Sequence, residues 1–291
     1  HRNILLNRKN KNTVVANLKE EKMAFFMGTI YSKSMLQDTA FNVILPHDGR
    51  RYIWTEPPKT LILLHGLSDS AATWIRRTAI ERYAERYNLA VIIPEVQRSW
   101  YQDMVYGVRA FHYITEEVLD IAEKMFHVST KREDVLIAGL SMGGYGALRC
   151  ALEKPEKFKY CGAFSGAYDL KDMYRMATEP GGESVLTGLV EDYGAIFGER
   201  KEVPKEVEIP EIICKVKNKP VQPSVYMMCG TEDFLYKQTC KVRELCEQSL
   251  SDFCYEEWPG HHEWDMWDEA IERMLKLFLG KGRIDFQNQD K

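Results

Sequence analysis

The chain lacks any uninterrupted apolar run near the roughly 18 residues that a bilayer-spanning helix needs. Its longest runs are short pieces such as Leu61 to Leu64 and Leu89 to Pro94, and a membrane-spanning helix is excluded. It lacks a CxxC pair, and its seven cysteines (Cys150, Cys161, Cys214, Cys229, Cys240, Cys246, Cys254) are odd in number. They read as free thiols. Most sit in apolar stretches such as Tyr226-Met-Met-Cys229, where a thiol packs as a small hydrophobe, which favours a reducing, cytoplasmic compartment. Positive charge is not in excess: 39 Lys and Arg against 43 Asp and Glu leave a net charge of −4. The clustered basic footprint of a nucleic-acid binder is absent. No internal repeat, low-complexity tract or HExxH spacing is present.

What is there is ordinary for a globular domain. Of 291 residues, 45% are hydrophobic and 28% charged, which excludes disorder, collagen and coiled coil. Residues 1–22 carry six Lys and Arg against Glu20 and Glu21, with no apolar h-region of about 7–15 residues and no small-residue cleavage site. The expectation is a disordered or appended leader, a genuine N-terminal arm being the alternative. Residues 23–280 are then expected to form one domain and 281–291 a tail.

Phe25 to Tyr31 and Phe41 to Leu45 read as antiparallel opening strands. Beyond Pro57-Pro58, Thr60 to Leu64 is continuously apolar, as a strand buried on both faces must be; Leu89 to Pro94 and Asp134 to Gly139 read as further buried strands, and Tyr160 to Phe164 and Ser224 to Cys229 as strands. Helical spacing fills the gaps: Trp74 to Tyr87, the stripe Ile114, Val118, Ile121 and Met125, then Met142 to Leu152 and Leu235 to Leu250. A short strand, Phe253 to Trp258, precedes a terminal helix with Trp267, Ile271, Met274, Leu275 and Phe278 on one face. Repeated βα alternation predicts an α/β fold with a mostly parallel sheet, antiparallel N-terminal strands and helices on both faces. From about 168 to 220 the pattern breaks into charged, Pro-punctuated sequence. A connection so long suits a cap over a site, surface decoration being the plainer reading. Leu186, Leu189, Val190, Tyr193 and Phe197 are placed to form a short helix within it.

The sharpest local signal is Gly139-Leu-Ser141-Met-Gly143, followed by Gly144 and Gly146, where a buried strand hands over to a helix. That is the setting of a nucleophile elbow, in which a sharp turn lifts the Ser141 hydroxyl clear of the sheet. The alternative is a tight turn with an ordinary serine. A serine hydroxyl is a weak nucleophile at neutral pH and needs a base, which in turn needs an orienting acid. The pair His261-His262 lies in a glycine-containing loop between the last strand and last helix. Asp233 ends the segment after Ser224 to Cys229, with Glu232 as the competing acid. Nucleophile, acid and base then follow the chain order that α/β-hydrolases use. An oxyanion hole needs two convergent backbone N–H groups. Met142, directly after the nucleophile, and Leu67, in the loop Leu64-His-Gly-Leu67, are the candidates. His65 is expected to support that loop by hydrogen bonding. No cofactor is needed.

Together, His65-Gly-Leu67, Ser99-Trp-Tyr101, Gly139-Leu-Ser-Met-Gly-Gly-Tyr-Gly146, Cys229-Gly-Thr-Glu-Asp233 and Gly260-His-His-Glu-Trp-Asp-Met-Trp267 resemble the putative esterase family of α/β-hydrolases. Within it the likeness is to the tributyrin esterase and acetyl or feruloyl esterase group, near esterase D and S-formylglutathione hydrolase. It spans roughly Met23 to Leu279, and five motifs in order are far more specific than the serine motif alone. The resemblance implies a serine carboxylesterase with Ser141, Asp233 and His262 as triad. It selects His262 as base because that histidine precedes Glu-Trp, and where His261 stands the family usually has a small residue. It further implies short-chain acyl esters, with acetyl or feruloyl esters of plant carbohydrate as the finer expectation.

Trp100, Tyr101 and Trp264 are expected to line a pocket for a sugar or aromatic acyl group, Trp267 serving equally well as core. The expected partner is a small-molecule ester, such as an acylated oligosaccharide, with no nucleic acid or membrane; self-association stays open. Three alternatives stand beside this expectation. One is an S-formylglutathione hydrolase-like thioesterase. Another is a non-catalytic hydrolase-fold binding protein, which an intact Ser, Asp and His set disfavours. The third is a metal site from His261, His262, Glu263 and Asp265, disfavoured because adjacent histidines diverge in extended chain.

Overall fold

A computed structural model describes residues 22–48, 57–180 and 186–280. The expected leader, the expected tail, the Gly181-Gly182 pair and residues 49–56 fall outside the described residues.

Strand β1 (Lys22–Ser32) pairs antiparallel with β2 (Gln37–Asp48) along its whole length. Phe25, Phe26, Met27 and Tyr31 of β1 are exposed, and Ser32 at its end is buried. Strands β3 (Lys59–Leu64), β4 (Leu89–Pro94), β5 (Val135–Leu140), β6 (Tyr160–Phe164), β7 (Ser224–Gly230) and β8 (Phe253–Trp258) complete one eight-stranded sheet. The order is β1-β2-β4-β3-β5-β6-β7-β8. β2 runs antiparallel to β4, and every pairing from β4 to β8 is parallel. The fold is that of an α/β-hydrolase.

The uninterrupted apolar runs follow from helices on both faces. On one face Ile62, Ile92, Ile137 and Met227 join Leu148, Leu152, Ile212 and Val242. On the other Leu61, Val91, Leu136 and Met228 join Trp74, Ile80, Ile271 and Met274. Each such side chain contributes about 1.5–3 kcal/mol by leaving water.

Two helical stretches depart from their periodicity. The span Trp74 to Tyr87 divides into α1 (Thr73–Arg77) and α2 (Ile80–Tyr87). Thr78 turns extended between them, its hydroxyl donating to the Trp74 carbonyl at 2.6 Å and accepting from Ile80 N at 3.3 Å. The helix before β5 consists of α3 (Ala110–His112), a π turn (Tyr113–Glu117) and α4 (Val118–Phe126). The wide turn inserts one residue, so the buried row passes from Ile114 to Leu119 and Ala122. Met125, which regular spacing puts on the inner face, is exposed.

After β5 comes α5 (Met142–Glu153), the central helix over the sheet. The 168–220 stretch holds α6 (Leu170–Thr178), α7 (Leu189–Phe197) and α8 (Ile209–Val216). Asp169 caps α6, its carboxylate accepting from Asp172 N at 2.9 Å. The α7 residues Leu189, Tyr193 and Ile196 are buried, and the Tyr193 hydroxyl donates to the Leu170 carbonyl at 2.7 Å. Helix α8 buries Ile209, Ile212, Ile213 and Val216 and packs on α5. It lies between β6 and β7 in sequence, packs against α5 and the helix that follows β7, and continues the βα alternation. Helices α9 (Tyr236–Ser249) and α10 (Trp264–Leu279) flank β8 in sequence.

Candidate active site

The candidate residues converge at the carboxyl ends of β3, β5, β7 and β8, the rim where loops of a parallel sheet meet. At the end of β5, Ser141 has φ 54° and ψ −119°, a conformation few non-glycine residues adopt. The turn closes because the next residues present no side chains to their neighbours. A Cβ on Gly143 would lie 2.5 Å from the Leu64 carbonyl oxygen and 2.7 Å from that of His65. A Cβ on Gly139 would strike the Gly143 carbonyl.

Met142 opens α5 directly after Ser141, where a helical N–H has no intrahelical acceptor. Leu67 lies in the turn after β3. Neither amide donates to another group among the described residues. The turn is braced from below by His65, which is fully buried. His65 Nδ1 lies 2.8 Å from the Gly66 carbonyl oxygen, and Nε2 lies 3.1 Å from Glu95 Oε1 and 3.2 Å from Val96 N. Burial favours the neutral form of Glu95, but the His65 hydrogen bond and charge, with the Ala71 and Gln97 amides, hold its carboxyl down at about 2.

Asp233 follows β7, and its side chain is fully buried. Oδ1 accepts from Leu235 N at 2.8 Å, and the two carboxylate oxygens lie 3.1 and 2.9 Å from His262 Nδ1. With Nδ1–H donated to the carboxylate, Nε2 carries the lone pair. The His262 ring is clamped between Phe234 and Trp267, with centroids 4.8 and 4.9 Å away. His261 is exposed, and its Nδ1 lies 3.3 Å from the Glu232 carbonyl. The Glu232 carboxylate accepts from Gly260 N and tethers the histidine loop; that hydrogen bond, first, lowers its pKa. Asp233 thus engages His262, while Glu232 engages backbone. No three His, Cys, Asp or Glu side chains among the described residues form a metal-binding group.

Ser141, Leu67, His262 and Trp264 line one open cleft of about 480 Å³. The Ser141 hydroxyl makes no hydrogen bond among the described residues; catalytic contacts often close only when substrate binds. Phe234, Asp69 and Trp267 also line the cleft. Sequence reasoning passed over Asp69 and Phe234, although one closes the His65-Gly66 turn and the other directly follows Asp233.

Trp100 and Tyr101 are not at the cleft. Both adopt φ 53° and turn inward, at 1% and 0% exposure. Trp100 packs edge-on against Tyr145 and Tyr193. The Tyr101 ring fills the space over Gly146, where a Cβ would meet it at 2.5 Å, and its hydroxyl donates to the His65 carbonyl at 2.8 Å. The Tyr101 carbonyl accepts from Arg149 of α5 at 3.2 Å. The aromatic lining expected of this pair is supplied by Phe234, Trp264 and Trp267. No described residue of 168–220 lines the cleft either.

A turn-borne serine, a carboxylate-held histidine and two free amides at the rim of an α/β-hydrolase sheet define a serine hydrolase class of site. Residues 32–278 match the family described as "Putative esterase", and the chain belongs to that family. It is a serine esterase, a carboxylic ester hydrolase. It is 31% identical over 257 residues to an acetyl esterase of Caldicellulosiruptor saccharolyticus, covering 86% of this chain and 96% of the relative. Among solved structures, the fluorophosphonate-binding serine hydrolase F of Staphylococcus aureus, with substrate bound, is 33% identical with a TM-score of 0.76, covering 88% of this chain and 98% of the other. The S-formylglutathione hydrolase FrmB of the same organism is 33% identical with a TM-score of 0.75, covering 89% and 99%. Among the described residues no helix is long and apolar enough to cross a membrane.

Proposed function

We propose that this esterase hydrolyses short-chain acyl esters through an acyl-enzyme on Ser141. The observation that carries the reading is the His262–Asp233 contact of 2.9 Å at the edge of the cleft that Ser141 also lines. Ser141 Oγ attacks the ester carbonyl and gives its proton to His262 Nε2. Asp233 fixes the ring orientation and stabilises the imidazolium. The carbonyl oxygen takes up the negative charge and is held by the Leu67 and Met142 amides, each worth about 2.7–4 kcal/mol in such sites. Collapse expels the alcohol, which leaves with the proton from His262. Water then repeats the sequence on the acyl-enzyme, frees the acid and restores the serine.

The likeness to an acetyl esterase over nearly the whole length of both chains favours acetyl esters, with acetylated plant carbohydrate as substrate class and feruloyl esters as a bulkier variant. The likeness to an S-formylglutathione hydrolase favours a thioester reading second. Hydrolysis of 4-nitrophenyl esters from acetyl to octanoyl, of an acetylated xylo-oligosaccharide and of S-formylglutathione tests both. The expected result is highest kcat/KM for acetyl, with Ser141→Ala lowering it about 10⁵–10⁶-fold and leaving the melting curve intact. Hydrolysis that persists in Ser141→Ala overturns the mechanism.

A further inference from the structure

The cleft has a polarity that the hydrolytic machinery does not use. Asp69 sits on the turn that carries Leu67, and its carboxylate is held through one oxygen while its backbone N–H closes the turn. Oδ2 accepts from Gly66 N at 3.2 Å, while Asp69 N donates to the Gly66 carbonyl at 3.3 Å. Oδ1 makes no hydrogen bond among the described residues. Across the cleft Glu232 supplies a second carboxylate, already tethered to Gly260 N. No Lys or Arg is among the residues lining this space. A carboxylate beside an oxyanion site is costly for the reaction itself, since like charges repel through a partly desolvated gap. Its presence therefore calls for a role in choosing what enters.

We propose that Asp69 is a specificity-determining residue of this cleft, repelling esters with anionic leaving groups and accepting, through Oδ1, a hydroxyl of a neutral polyol leaving group. The inference rests on the esterase reading above and sharpens it, because glutathione carries two carboxylates against one ammonium at neutral pH and is the wrong charge for this wall. Burial raises the Asp69 carboxyl above its ordinary range, against the pull of His65, the Gly66 amide, His262 and Arg77. The half-buried setting keeps its field on the cleft from being fully screened.

A matched pair of substrates reads this out: 4-nitrophenyl acetate and 5-acetoxy-2-nitrobenzoate, the same acetyl ester with one added carboxylate. Wild-type protein should favour the neutral ester in kcat/KM by about tenfold or more, beyond the ratio of their alkaline hydrolysis rates. Asp69→Asn, whose amide oxygen still accepts from Gly66 N, should shrink that preference about three- to tenfold. Asp120→Asn, which removes an exposed charge on α4, should leave the ratio where it was. Raising salt from about 0.02 M to about 0.5 M should compress the wild-type ratio and move the Asp69→Asn ratio less. An unchanged ratio in Asp69→Asn, an equal change in Asp120→Asn, or a wild-type ratio indifferent to salt overturns the role of Asp69. Wild-type protein inert toward both esters overturns the esterase reading itself, and this inference with it.

Discussion

The two sides of the catalytic rim are built by opposite means. Around Ser141 the chain is buried and sterically determined: every residue of α5 from Met142 to Leu152 is buried, and backbone meets backbone at Gly139, Gly143 and Leu64. Around His262 the loop is largely exposed, and polar tethers hold it: Glu232 on Gly260 N, Glu263 on His261 N at 3.2 Å, and Asp233 on His262. Ser141 is positioned by what has no room to move, His262 by what it is bonded to. A rim of this kind tolerates surface change on the histidine side and almost none at the elbow.

The widest separation should appear between the adjacent histidines. His262→Ala is expected to lower kcat on 4-nitrophenyl acetate about 10⁵–10⁶-fold, while His261→Ala stays within about fivefold of wild type; the reverse pattern would move the base to His261. Next comes the contrast in backbone tolerance. Gly143→Ala should lose about 3 kcal/mol or more of unfolding free energy, because the atoms it meets are main chain. Gly260→Ala, with φ 155° and a flexible Met266 side chain as its nearest neighbour, should lose about 1–3 kcal/mol. Equal losses in denaturant titrations would erase the distinction.

The smallest effect concerns the brace beneath the elbow side. Glu95 is held at about 2 in the folded chain against an ordinary 4.5. A depressed carboxyl stabilises the fold above its unfolded value, and that contribution fades as pH falls from about 4.5 toward about 2. Urea midpoints measured between about pH 5 and about pH 2.5 should drop less steeply in Glu95→Gln than in wild type. Parallel slopes would show that Glu95 has no such role.

How far the sequence spoke depended on whether the governing forces were local. Strands buried on both faces announce themselves as unbroken apolar runs, so β3 through β7 and their order of alternation were legible. The elbow was legible too, since its glycines answer collisions within a few residues. That His262 and not His261 meets Asp233, 29 positions away, was not in the local pattern; family likeness supplied that expectation. Trp100 and Tyr101 misled because a polar loop suggests exposure, whereas two successive left-handed residues fold both rings under α5. The π turn escaped notice for a similar reason, since one extra residue leaves composition unchanged while rotating the buried row past Met125. Asp69 reads as an ordinary turn former until the cleft is seen around it.

Tyr101 has a consequence for how the esterase keeps its alignment. Its ring rests on α5, the helix that follows Ser141, and its hydroxyl on the loop after β3. One aromatic side chain thereby works as a shared strut between the two parts of the chain that offer free amides, so that a shift of one is transmitted to the other.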